Sequence, residues 1–293
     1  MIIVTGATGQ LGSLIAKSLV ARLPATQIGV SCRDPAKAAC PAALAIRVRA
    51  GDFADPASLQ HAFDRATTVL MVSSNARALG GDPLAQHRTA IDAARAAGAQ
   101  RIVYTSHIAA SATSAFPPAR DHAATEDMLR RSGLAWTALR HGFYGASGLA
   151  MRGDALTTGT LETAGDGKFS WAAHADLAEA AAIILTEIHQ GHGWRWDGPT
   201  PPLTGAEALD FGDLVGIAST LLAKSIHRTV LTDEAMRAKF AARGTPPRAA
   251  DMVMGLYTAA RNGEFATIDP LLARLLGRAP IRMRDLMAAK GSG

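Results

Sequence analysis

Two cysteines, Cys32 and Cys40, are all that 293 residues hold, and they form neither a C-x-x-C pair nor a metal-ligand spacing. A disulfide framework is excluded on that count, and a reducing, cytoplasmic setting is the expectation. No apolar run approaches the ~18 residues that a membrane helix needs, so a membrane protein is not expected. Charge is sparse too, at 19% of residues against 48% hydrophobic, the balance of an ordinary soluble globular chain. The net charge is +5 and the isoelectric point about 9.6. The arginines are nevertheless scattered, with the densest group, Arg274, Arg278, Arg282 and Arg284, near the C-terminus and no nucleic-acid-binding motif beside it. A mildly basic surface that serves small anionic ligands is the expected meaning. His189 and His192 stand three apart in a glycine-rich stretch without further ligands nearby, so no metal site is expected. The terminal Gly291-Ser292-Gly293 is given no role in the fold.

What is present begins at the first residue. The run Ile2-Ile3-Val4 is short, apolar and β-branched, as expected for the first strand of a buried parallel sheet, and its place at the N-terminus leaves no room for an export leader. Gly6, Gly9 and Gly12 follow at intervals of three, and then Leu11, Leu14, Ile15, Ser18 and Leu19 recur at helical spacing. A glycine turn that opens a helix presents free N–H groups and the positive end of a dipole, which together favour an anion. Gly6 would permit the tight turn, Gly9 the approach of a diphosphate without a Cβ in the way, and Gly12 close packing of helix on strand. With a second strand at Ile28 and Val30, the stretch meets the requirements of a dinucleotide cradle rather than of a plain structural turn.

About 20 residues past such glycines an acid usually reads the ribose 2′-hydroxyl. Here that position is Ser31-Cys32-Arg33, with Lys37 one turn further on. A carboxylate there would repel a 2′-phosphate and a guanidinium pairs with one, so Arg33 and Lys37 point to NADP(H). The alternative is an exposed arginine in a solvated loop, neutralised by Asp34. Cys32 is expected to pack beneath the adenosine.

Apolar runs and helical stretches alternate through the first half. Strands are expected near 2–5, 27–31, 45–49, 68–73, 101–105 and 135–140, and helices near 10–22, 57–64, 84–97 and 119–132. This alternation means right-handed βαβ crossovers, and the fold class is α/β: a Rossmann-type doubly wound parallel sheet with a smaller, mainly helical C-terminal lobe. The expected division is 1–145 for the dinucleotide-binding core and 146–290 for a substrate-binding lobe interleaved with the last elements of the core. Ligands of open α/β sheets lie outside the carboxyl ends of the strands. The expected crevice residues are therefore Gly51-Asp52-Phe53, Ser73-Ser74-Asn75 and Thr105-Ser106-His107, after the third, fourth and fifth strands. His141-Gly142-Phe143-Tyr144 follows the sixth, Thr163–Lys168 reads as a turn, and an alanine-rich helix is expected from about Asp176.

The ordered stretches VTGATGQLG (4–12), RDPAKA (33–38), VRAGDF (48–53), SSN (73–75), QHR (86–88), AARAAG (93–98), YTS (104–106), LRHGFY (139–144), AGDGK (164–168), HADLAEAA (174–181) and LLARLLGRAP (271–280) run along essentially the whole chain. In that set the sequence resembles the NmrA-like, atypical branch of the short-chain dehydrogenase/reductase superfamily, and within it the bacterial NADPH-dependent quinone oxidoreductases and triphenylmethane dye reductases. The resemblance implies that Thr8, Gln10, Leu11 and Gly12 hold the pyrophosphate, Arg33 and Lys37 the 2′-phosphate, and Asp52 and Phe53 the adenine edge. It implies Ser73, Ser74 and Asn75 along the cofactor ribose, and Ser106 and His107 beneath the nicotinamide. Two departures stand out: His141 where relatives carry an asparagine before the Gly-aromatic-Tyr sequence, and His122 with Glu126 where most of the superfamily has a Tyr-x-x-x-Lys pair. That pair lets tyrosine exchange a proton with a carbonyl. Without it, the implied substrates accept hydride directly, as a quinone or a cationic dye does.

The leading expectation is therefore an NADPH-dependent reductase of a flat, conjugated electrophile bound between sheet and lobe. Tyr144 is the preferred polar group there, and His107, His122 and His141 are weaker proton-donor candidates. A small molecule is the expected partner, and a homodimer is left open. The other function class is a non-catalytic NADP(H)-binding redox sensor that regulates a partner protein.

Overall fold

The computed structural model describes residues 1–38, 44–151, 153 and 155–291, so Cys40 and the final Ser292-Gly293 lie outside the described residues. The first six strands are β1 (Ile2–Thr5), β2 (Ile28–Cys32), β3 (Arg47–Ala50), β4 (Thr68–Met71), β5 (Arg101–His107) and β6 (Ala135–His141). They are followed by β7 (Phe143–Tyr144), β8 (Thr160–Ala164), β9 (Phe169–Ala172), β10 (Gly198–Pro199), β11 (Ala208–Leu209) and β12 (His227–Leu231). The helices Gln10–Val20, Pro56–Phe63, Pro83–Ala96 and Pro117–Arg131 lie where the periodicity puts them. Two of them start by the same device, a proline in the first turn behind an aspartate cap. Asp55 accepts from the amides of Ala57 and Ser58, and Asp82 from those of Leu84 and Ala85. No helix among the described residues is long and apolar enough to cross a membrane.

The chain divides into two compact units, each assembled from three stretches: 1–106, 121–140 and 174–201 in the first, and 107–120, 141–173 and 202 onward in the second. In the first unit a seven-stranded sheet has the order β10-β6-β5-β4-β1-β2-β3. β1 pairs in parallel with both β2 and β4, and β2 with β3, β4 with β5 and β6 with β10 are parallel as well. Consecutive strands run outward to one side from β1 through β2 and to the other from β4, which makes the carboxyl ends of β1 and β4 the topological switch point. Ile2, Ile3 and Val4 are fully buried, as the apolar run requires of a strand covered on both faces. The helices Gln10–Val20 and His174–Glu187 pack together and are linked at their rim by Arg22 and Glu179, 3.4 Å apart.

Several boundaries differ from the sequence expectation, among them the end of β4, which stops at Met71 rather than at 73. Thr105, Ser106 and His107 are the last residues of β5 rather than a loop after it, and β6 runs on through His141. The alanine-rich helix starts at His174, and Pro199 lies in the edge strand β10, where it need not donate to a ladder.

The second unit is mainly helical from 202 onward and adds two small sheets. One has the order β11-β9-β7, and the other pairs β12 in parallel with β8. Its core is aromatic. Phe169 is fully buried and stacked between Trp171 at 4.9 Å and Phe265 at 5.2 Å, while Phe143 and Phe211 meet it edge-on at 5.3 and 5.6 Å. Replacing Phe169 by Ala should therefore cost about 3–5 kcal/mol of stability, the range for truncating a buried aromatic. Urea unfolding followed by tryptophan fluorescence measures it, and a loss below about 1 kcal/mol would show that this stack does not organise the unit.

Candidate functional site

The turn after β1 is built by two glycines. Gly6 has φ +62, which an L side chain rarely adopts, and its carbonyl accepts from the Gly9 amide at 2.9 Å. A Cβ on Gly12 would lie 2.3 Å from that same carbonyl oxygen, so only glycine lets the helix start this close to the strand. Gly9 caps the helix with extended backbone and no side-chain acceptor, and the first helical turn carries no acid. The leading amides of Gln10–Val20 thus lack the usual cap and its negative charge. Thr8, Gly9 and Gln10 are exposed, whereas Leu11 is buried and offers only its amide. This is a place for an oxyanion, and it fits a diphosphate.

At the end of β2, Cys32 is buried, and burial pushes its thiol pKa up. Asp34 accepts from the Ala36 amide at 3.1 Å and stands 3.6 Å from the Lys37 ammonium. The neighbouring acid is therefore engaged with Lys37. Arg33 is exposed and makes no hydrogen bond or ion pair among the described residues. Beyond β3, Asp52 accepts from the Ala54 amide at 2.9 Å, closing an Asx turn that presents the half-buried Phe53.

The segment after β4 is pinned from beneath. Three consecutive amides, those of Val72, Ser73 and Ser74, each donate to a buried side chain from a different element: Thr5 Oγ1 at 2.9 Å, Thr105 Oγ1 at 2.8 Å and His87 Nε2 at 2.9 Å. The Ser74 hydroxyl donates to Gln86 and accepts from the Ala76 amide, so it is committed inside the loop, while Asn75 is exposed.

At the end of β5, Ser106 is buried and donates to Glu126 Oε1 at 2.6 Å. Glu126 is buried as well and takes a two-pronged pair from Arg140 of β6, with Nε at 3.1 Å and Nη2 at 2.7 Å. One helical turn before Glu126, His122 Nδ1 meets the Tyr104 hydroxyl at 2.7 Å.

The second unit holds the other candidates. Phe116, Phe143 and Phe265 surround the His107 ring at 5.9, 5.5 and 5.6 Å, and burial pushes its pKa down to about 4. Its Nδ1 accepts from the Ala109 amide at 3.1 Å, so the neutral ring carries its hydrogen on Nε2. His141 Nδ1 lies 3.3 Å from the Tyr144 hydroxyl, and burial raises the Tyr144 pKa above its ordinary value. At neutral pH His107 is therefore uncharged and Tyr144 keeps its phenolic proton.

Sequence reading gave no role to His87, Arg140 or Thr5 and placed Thr105 only among the crevice residues, because a buried partner of a loop amide or a carboxylate has no spacing of its own. Their only signal was membership of the stretches VTGATGQLG, QHR, YTS and LRHGFY. His189, weighed as a metal ligand, binds Gln27 Oε1 at 3.0 Å.

Two outcomes are expected. Gly9→Val should abolish dinucleotide binding while circular dichroism stays native, since among the described residues a new Cβ meets, beyond its chain neighbours, only the Gly6 carbonyl oxygen at 3.3 Å, and the branches would stand where a bound diphosphate would lie. Tight binding by the folded variant would refute the cradle. The second concerns His87, whose pKa burial lowers from 6.5 to about 4. Between those values the unfolded chain binds more protons than the folded one, so stability should fall as pH drops from 6.5 toward 4, by at most ~3 kcal/mol for this residue. Urea midpoints across that range should slope less in His87→Gln, and equal slopes would sink the assignment.

A family model described as NAD(P)H-binding matches residues 6–187. The chain is 37% identical over 278 residues to quinone oxidoreductase 2 of Escherichia coli (strain K12), covering 94% of each. The crystal structure of that NADPH-dependent quinone oxidoreductase with NADPH bound superposes with a TM-score of 0.90 over 99% of this chain and all of that one. Citrobacter sp. triphenylmethane reductase complexed with NADP(H) gives 0.85 at 30% identity over 99% of both chains. The transcriptional regulator NmrA, at 16% identity and a TM-score of 0.73 over 98% of this chain and 94% of that one, shares the fold alone. A family match over more than half of the chain, with a relative matched along nearly its full length, establishes that the chain belongs to the NAD(P)H-binding family, in the group of the quinone oxidoreductases and triphenylmethane reductase.

Proposed function

We propose that this chain is an NADPH-dependent reductase that delivers hydride to a quinone or to another flat, conjugated electrophile such as a dye. The observation that carries the reading is that no tyrosine has a lysine four residues on: Tyr104, Tyr144 and Tyr257 are followed there by Ile108, Gly148 and Arg261. The chain therefore lacks the tyrosine–lysine acid that alcohol and ketone chemistry uses, and the relatives at 37% and 30% identity are by name reductases of quinones and triphenylmethane dyes.

A bound reduced nicotinamide supplies the hydride. The chain's own residues bind and orient. Gly6, Gly9 and Gly12 with the amides of the first helical turn, among them those of Gln10 and Leu11, take the diphosphate beside Thr8. Arg33, with Lys37 beside it, takes the 2′-phosphate, and Asp52 and Phe53 border the adenine. Ser73 and Asn75 line the ribose, with Ser74 serving through its backbone. Ser106, whose hydrogen is held by Glu126, presents lone pairs to a donor on the nicotinamide side. His107 and Tyr144 offer hydrogen bonds without releasing protons, because neutral imidazole and a buried phenol are poor acids at neutral pH. The reduced product is protonated by water, and His122 is not required as an acid.

The direct test mixes the protein with NADPH and a simple quinone and follows cofactor absorbance. Binding without decay across quinones, dyes, enones and imines would favour the sensor reading. Arg33→Ala should weaken NADPH binding by ~1.5–3 kcal/mol, the worth of a charge-assisted hydrogen bond, and leave NADH nearly unchanged. Equal loss for both would remove the 2′-phosphate assignment. His122→Ala should slow quinone turnover by well under the ~100-fold that losing a general acid costs at minimum. Tyr144→Phe should act on substrate binding, by roughly 0.5–1.5 kcal/mol. Rapid mixing with deuterated NADPH reads the hydride step, and a collapse in either variant with cofactor affinity intact would identify a proton donor.

A further inference from the structure

We infer that His87 is a positioning residue of the dinucleotide site, acting through the Val72–Ser74 backbone as the third of three buried acceptors that fix this segment. The inference rests on the reading that the Ser73–Asn75 loop borders the cofactor.

The geometry leaves the imidazole one working state. Nε2 accepts from the Ser74 amide at 2.9 Å, so it bears no hydrogen, and Nδ1 then carries the ring hydrogen and donates to Thr125 Oγ1 at 2.8 Å. Thr125 passes its own hydrogen to the Asp121 carbonyl at 2.8 Å. Asp121 closes the frame from the other side, since its carboxylate pairs with Arg77 in the short helix Ala76–Leu79 that immediately follows the loop. The loop is thus held at its entry by Thr5 and Thr105, at its centre by His87 and at its exit by the Arg77–Asp121 pair. The ring plane is fixed as well, edge-on to Phe53 at 6.5 Å and to Tyr104 at 5.4 Å. Phe53 is assigned above to the adenine edge, and Tyr104 holds His122. One buried side chain therefore sits behind both the Ser73–Asn75 loop and Phe53.

A purely apolar side chain could fill the same space, and a protonated imidazole could not accept the amide. What the site needs is an uncharged acceptor placed to meet the Ser74 N–H with a donor on its far side. Asp121 and Asp82 are the charged groups that favour protonation, and burial outweighs them. Nothing in this arrangement is needed to fill a core that leucine would not fill, so the polar function is separable from packing.

The test compares His87→Leu, His87→Gln and Thr125→Val in the full chain, using NADP+ titration by calorimetry and amide hydrogen exchange at Ser74. Leucine removes the acceptor, and NADP+ affinity should fall by ~10-fold or more with loss of protection at Ser74. Glutamine places a carbonyl oxygen near the Nε2 position, and both readouts should recover to within ~3-fold of the parent protein. Thr125→Val removes the partner of Nδ1–H and should move both readouts in the leucine direction by a smaller factor. It carries the test by itself if the leucine variant does not fold. Long-range proton–nitrogen spectra of the parent protein should show the neutral ring with its hydrogen on Nδ1.

Unchanged affinity and protection in the leucine variant would overturn the inference, as would equal losses in the leucine and glutamine variants with Ser74 still protected, which is the signature of packing alone. Lost protection with unchanged affinity would show instead that the loop does not serve the cofactor, overturning the assignment of Ser73–Asn75 and the inference with it. None of these readouts involves a hydride acceptor, so failure of the reductase reading would leave them standing.

Discussion

A helix that begins without a cap must find partners for its first amides outside itself, and that requirement organises the first unit. The sequence withholds every ordinary remedy at the start of Gln10–Val20: no Ser, Thr, Asp or Asn at the cap and no acid in the first turn. It also brings the helix so close to β1 that a single methyl on Gly12 would collide with the Gly6 carbonyl. The close contact holds the exposed amides at the carboxyl end of β1, which the strand order makes the switch point of the sheet. An anion there would supply what the cap does not, so folding and the proposed ligand site share one constraint.

Around that edge the unit buries polar side chains that a core would otherwise exclude. Thr5, Thr105, His87 and Glu126 each accept a hydrogen bond from a residue at the strand ends, and Glu126 is paired with Arg140. Burying such groups is costly unless every partner is present, so the network tolerates few arrangements and holds its loops in one. Glu126 is paired with Arg140 and bonded to Ser106, so the local field there is that of an ion pair.

The second unit follows a different logic. Its core is a set of stacked and edge-on aromatics, and the titratable groups set among them are kept neutral by the lack of water. His107 loses its usual readiness to accept a proton, and Tyr144 its readiness to release one. Such groups exchange protons poorly at neutral pH.

The alternation of strands and helices, the glycine turn and the missing acid at Arg33 were legible in the chain, because each depends on neighbours within a few residues. Periodicity reports which face of an element is buried, and a turn reports its own backbone demands. The ends of β5 and β6 were read two residues or one too short, since Ser106, His107 and His141 continue ladders on residues that carry no strand propensity signal. The small sheets of the second unit were invisible for a related reason, as two-residue strands such as Phe143–Tyr144 exist only through their partners in β9. The partners of His87, of Glu126 and of the three loop amides lie between 13 and 67 residues away in the chain. Local sequence determined the sheet and the cradle. Which polar atoms meet beneath them was decided by tertiary packing, because a hydrogen bond between distant residues depends on how the strands are ordered and on nothing that either residue shows alone.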